Sequence, residues 1–123
     1  MPGKFGLSVS EYNVMSIIWK ENNELLFKDI VKKVAEHGYT WAPQTIQTFI
    51  DHLVNKGALS FRWQGHKKSY FPSSTQNEYA AKWMKKVFEE NFDNMDDFVL
   101  SLNNITGQLT VDQIKELESI WNE

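Results

Sequence analysis

The chain has 123 residues, 41% hydrophobic and 14% aromatic, with a net charge of −3. That suits one domain, or one small module with an appendage, and is apolar enough for a packed core. The absence of cysteine excludes disulfides, thiolate metal sites and thiol nucleophiles, and no apolar run of about 18 residues is present to span a membrane.

The first helix is expected in "LSVSEYNVMSIIW". Ser8 and Glu11 have the spacing of a capping box, and Leu7 and Tyr12 that of a hydrophobic staple. Met15, Ile18 and Trp19 continue its apolar stripe. The second helix is "FKDIVKKVAEH", where Phe27, Ile30, Val31 and Val34 share a face and Lys28, Lys32 and Lys33 lie off it. Gly38 is suited to end it. The third helix lies in "WAPQTIQTFIDHLVNKGAL". Pro43 fits its first turn, and Ile46, Phe49, Ile50, Leu53 and Val54 repeat as one buried stripe. Gln44, Thr48, Asp51 and Asn55 point the other way, flanked by Thr45, Gln47 and His52.

"LSFRW" and "SYF" around "QGHKK" read as a β-hairpin with a basic tip. Beyond "PSST" the chain turns helical again. Tyr79, Trp83, Val87, Phe88 and Phe92 form one stripe, and Met95, Phe98, Val99 and Leu102 a second. Acids in "DNMDD" suit a helix start. A last helix is expected from Thr110, with Ile114, Leu117, Ile120 and Trp121 apolar.

Three helices followed by a basic hairpin is the order of a winged helix-turn-helix. The expected architecture is mostly α with a small β-hairpin: a winged module over 1–74, then C-terminal helices over 75–123. In this reading Gln44, Thr45, Gln47 and Thr48 offer amide and hydroxyl groups to base edges. Arg62, His66, Lys67 and Lys68 on the wing, with Lys32 and Lys33 of the second helix, could neutralise phosphates. The charge distribution agrees. Residues 1–73 carry nine Lys and Arg against six Asp and Glu, whereas residues 74–123 carry four against ten. A solvated polar helix face and a wet hairpin tip would look alike, and winged helices also serve as protein-interaction modules.

His37, His52 and His66 have no metal-ligand spacing. No nucleophile triad, phosphate loop or catalytic carboxylate pair stands out. The expectation is a protein without catalysis, metal or cofactor. "MPGKFGLSVSEY" lacks an apolar signal core, which points to the cytoplasm.

"LSVSEYNVMSIIW", "TIQTFIDHLVNKGAL" and "YFPSS" resemble the penicillinase-repressor family, the BlaI/MecI type with its copper-responsive CopY branch. The similarity covers nearly the whole chain and is most specific in Leu7–Trp19 and Thr45–Leu59. It implies a homodimeric transcriptional repressor on a palindromic operator of double-stranded DNA. Dimerisation would fall to the C-terminal helices, with Trp83, Val87, Phe88, Phe98, Leu102, Leu117 and Trp121 as candidates.

By position, Thr45 and Thr48 match the family's T-x-x-T and would contact DNA. Gln47 stands where many members have Arg or Lys, and His52 where Arg is common. Asp51 takes a position that is usually uncharged or polar. These departures predict an altered operator, or weaker binding that leans on the wing and on Lys32 and Lys33. Repressors of the β-lactam branch are inactivated by proteolysis at an Asn–Phe bond. Ser101–Leu102 stands there instead, so the resemblance leaves an inactivating protease open. The copper branch's Cys-rich tail is absent. A ligand-responsive regulator of the same fold stays an alternative.

Overall fold

The computed structural model describes residues 3–106, together with 112, 113, 115, 116 and 119. Its elements run α1 (Val9–Trp19), β1 (Leu25–Leu26), α2 (Phe27–Glu36), α3 (Pro43–Asn55), β2 (Leu59–Gln64), β3 (Lys67–Pro72), α4 (Gln76–Asn91) and α5 (Met95–Thr106). The chain forms two compact units, Met1–Trp83 and Met84–Glu123.

The first unit is built as the apolar periodicity requires. Val14, Met15 and Ile18 of α1, Ile30 and Val34 of α2, and Ile46, Ile50 and Leu53 of α3 are buried together with Leu59 and Tyr70 of the sheet. Phe49 and Val54, on the margins of the α3 stripe, are half-buried against that core. Local chemistry fixes the ends of the helices. Ser8 Oγ accepts from Glu11 N (3.1 Å), and the Glu11 carboxylate accepts from Ser8 N (2.8 Å), which completes the capping box. Gly57 takes φ 81°, where a Cβ would be strained. It donates to Val54 O, and Ala58 to Leu53 O, each at 3.0 Å, so α3 ends in a Schellman turn.

The hairpin is in register from Leu59↔Pro72 to Gln64↔Lys67, leaving Gly65 and His66 as a two-residue loop. Gly65 has φ 64° and His66 has no positive φ. That is the pattern of a II′ turn, with Gly at its first central position.

The expected hairpin is two strands of a three-stranded sheet, in the order β1-β3-β2. Leu25↔Tyr70 and Leu26↔Ser69 add β1 to its edge. Two residues are too short to show a strand period, so β1 leaves no trace in the sequence pattern. The first unit also continues to Trp83, past the boundary expected at 74. Trp83 meets the Phe5 ring edge-on at 6.1 Å, which binds the first half of α4 to the N-terminal segment. Thr75 caps α4 by exchanging 3.1 Å bonds with Glu78.

In the second unit, Phe88, Phe92 and Phe98 form a ring cluster, with centroids 5.3 to 5.9 Å apart. Asn94 Oδ1 accepts from Asp97 N at 2.9 Å, so "DNMDD" is a capped helix start. Ser101 and Leu102 lie within α5, both half-buried. Leu117 and Trp121 lie outside the described residues.

One buried charge joins α1 to α3. Glu11 is only 4% exposed. Its Oε1 accepts from Lys56 Nζ at 2.6 Å and its Oε2 from His52 Nδ1 at 3.0 Å, while Ser8 N holds Oε1 from within α1. Burial alone would push the carboxyl up. The hydrogen bonds from Lys56, Ser8 and His52 outweigh it and bring the group from 4.5 down to about 2. The folded state therefore binds this proton more weakly than the unfolded chain. The resulting stabilisation is complete above about pH 4.5 and fades as pH falls toward about 2. Glu11→Gln is expected to cost about 3 kcal/mol at neutral pH. In urea unfolding followed by circular dichroism, the variant should also lose much of the fall in stability between about pH 4.5 and 2 that the parent shows.

Candidate nucleic-acid interface

The outward face of α3 follows from its inward one. With Ile46, Ile50 and Leu53 buried, Gln44, Thr45, Thr48 and Asp51 are exposed, and Gln47 is half-buried at the margin. Thr48 Oγ1 donates to Gln44 O at 3.1 Å, so its methyl and its acceptor lone pairs are what it offers outward. Gln47 Nε2 donates to Asp51 Oδ1 at 2.9 Å, one helical turn on. His52 is turned toward α1. Its Nδ1 bonds Glu11, although about half of the side chain stays exposed.

Beside this face lies a groove of about 620 Å³ between α3, the start of α2 and the wing. Gln47 and Asp51 line it from α3, Lys28 from α2, and Trp63, His66, Lys67 and Lys68 from the hairpin. Lys68 lies over the rings of Phe61 (4.4 Å) and Trp63 (5.4 Å), contacts that hold its ammonium in place. Lys28 and Lys67 are exposed and make no ion pair among the described residues.

Two other cations expected to face phosphate have partners within the chain. Arg62 is paired with Glu24 and lies over the Phe71 ring. Lys33 is paired with Glu21 at 3.3 Å. Lys32 is exposed on α2 but does not line the groove. Lys28 and Trp63 line the groove although the sequence pattern does not single them out as site residues. Trp63 is 63% exposed, and its place opposite Lys68 in the register gives it a groove-facing position. Hairpin alternation could have found it, because Trp63 shares a strand face with Phe61. Lys28 could not have been found so, because only the packing of α2 beside the wing brings it there.

The penicillinase repressor model matches residues 7–123. The chain belongs to the penicillinase repressor family. The penicillinase repressor of Bacillus licheniformis is 30% identical over 122 residues, covering 95% of this chain and 90% of that protein. The methicillin resistance regulatory protein MecI of Staphylococcus aureus (strain N315) is 27% identical over 124 residues, covering 97% of this chain and 95% of that protein.

Among solved structures, the DNA-binding domain of the repressor BlaI superposes with a TM-score of 0.53 at 32% identity, covering 64% of this chain and 94% of that one. The monomeric form of Bacillus licheniformis BlaI in complex with the blaP half-operator gives 0.50 at 33% identity, covering 59% of this chain and 87% of that one. The fold is thus a winged helix, and the family is one of repressors, not of enzymes. Among the described residues, no group of His, Asp and Glu is arranged to hold a metal, and no helix is long and apolar enough to cross a membrane.

The intramolecular pairs give a ranking of the cations. Lys28→Ala and Lys67→Ala should each lower the slope of log affinity against log salt by about 1 on any duplex. Arg62→Ala should lower it less, because part of its charge is already met by Glu24. Fluorescence anisotropy over a salt series measures all three.

Proposed function

We propose that this protein is a homodimeric transcriptional repressor in which each subunit lays α3 in the major groove of one half of a two-fold operator. The observation that carries this reading is the exposed face of α3 beside the groove lined by Lys28, Lys67 and Lys68. An amide- and hydroxyl-bearing helix can read base edges, and flanking ammonium groups can hold the phosphates on either side. The structure of BlaI on the blaP half-operator supports the same use of the fold here. Thr45 and Thr48, with Gln44 and Gln47, are the base-reading residues in this proposal, and the wing lysines act on the backbone.

The second unit supplies the dimer contact. Phe88 is buried in its own ring cluster, so it supports the surface from beneath. Among the described residues of this unit, Leu100 and Met84, 60% and 53% exposed, are the large apolar side chains left for a partner subunit. Sedimentation equilibrium should report a dimer, and Leu100→Asp should shift it toward monomer.

The decisive experiment is binding to the DNA upstream of the protein's own gene against random duplex, across salt. A specific complex should be at least about a thousandfold tighter than the random one at physiological salt, and both should weaken as salt rises. Equal affinity for the two duplexes would defeat the operator reading. No binding even at low salt would favour a protein-interaction module instead.

A further inference from the structure

The carboxylate on α3 is the feature least expected of a helix that faces a polyanion. Asp51 is exposed and forms no ion pair among the described residues. It does not stand alone, because it lines the groove with Lys28, Lys67 and Lys68. Its direct partner is Gln47, whose Nε2 donates to Asp51 Oδ1 at 2.9 Å. The chemistry settles which way the Gln47 amide points. A carboxylate can only accept, so the amide nitrogen must face it and the amide oxygen must face away.

That bond uses one of the two amide hydrogens. Gln47 then presents one acceptor and one donor side by side. Adenine offers the matching pair in the major groove, an N6 amino donor and an N7 acceptor. Guanine offers two acceptors, O6 and N7. An amide held by Asp51 can satisfy only one of them and sets its own oxygen against the other. A free amide could turn and share both hydrogens with guanine. The negative charge at Asp51 acts in the same sense, because it disfavours guanine's acceptor edge.

We infer that Asp51 is a positioning residue for base selection: by fixing the Gln47 amide, it makes α3 discriminate adenine from guanine at one position of each half-site. This rests on the DNA-binding reading above and adds a specificity device to it. Thr48 is held to Gln44 O at 3.1 Å, so it leaves the Gln47 amide to Asp51 alone.

The test uses full-length protein and a library of duplexes with randomised half-sites, whose bound fraction is sequenced. The parent should enrich adenine at one position, and Gln47→Ala should flatten that column. Asp51→Ala, with Gln47 intact, should lower the adenine-to-guanine ratio there by roughly tenfold. Asp51→Asn can donate as well as accept, so it no longer settles which way the Gln47 amide points and should restore only part of the ratio. A purely structural role would change affinity without moving the ratio.

An Asp51→Ala profile identical to the parent's overturns the inference. So does a parent profile with no adenine column that depends on Gln47, although specific DNA binding would survive that result. A parent that enriches no sequence at all overturns the operator reading and this inference together. Asp51 is exposed and Gln47 is half-buried at the margin of the outward face of α3. Matched thermal melts of the variants exclude unfolding as the cause of a changed ratio.

Discussion

The first unit turns on a carboxylate that has left water. Glu11 pins the start of α1 to the last turns of α3 through Lys56 and His52, and Lys56 also reaches the Gly6 carbonyl at 3.1 Å. A buried charge of this kind is tolerable only when each oxygen is met, and here both are. Its geometric consequence is larger than its energy. It fixes the rotation of α3 about its own axis and so determines which residues face outward. The Ile46, Ile50 and Leu53 stripe sets the same rotation from the apolar side. Two independent constraints agree, one polar and one apolar, on which face of α3 is turned outward.

The same contact explains why His52 does not simply point outward with the rest of the polar face. A position on the flank of the polar face would ordinarily be free to reach outward. Here one ring nitrogen is committed to α1. Two basic residues of the front half behave alike: Lys33 and Arg62 answer Glu21 and Glu24. A positive excess counted along a sequence is therefore not a positive surface. What remains at the groove is a small set of cations, one of them held over aromatic rings. That arrangement sets positive charge beside a helix which itself carries little.

Much of the fold was legible in the sequence because its signals are local. Ser8 and Glu11 announce a helix start, Pro43 and Gly57 bracket α3, and the period of α3 names its buried face. The hairpin was legible from alternation and from Gly65. The edge strand β1 was not, since two residues carry no period. The extent of the first unit was not either. It depends on Trp83 meeting Phe5, a contact between residues far apart in the chain that no window of sequence contains.

By itself, the sequence determined the helices, the hairpin and the polar composition of α3, because capping, turn chemistry and hydrophobic period act over a few residues. Only the tertiary structure decided which polar groups are available. It brought Lys28 to the wing, turned His52 to Glu11, and paired Arg62 with Glu24. The Gln47–Asp51 bond lies between the two cases, since its i to i+4 spacing is visible but its formation is not. A side chain's partner depends on what the folded chain sets beside it, and that distance is not written in the spacing along the sequence.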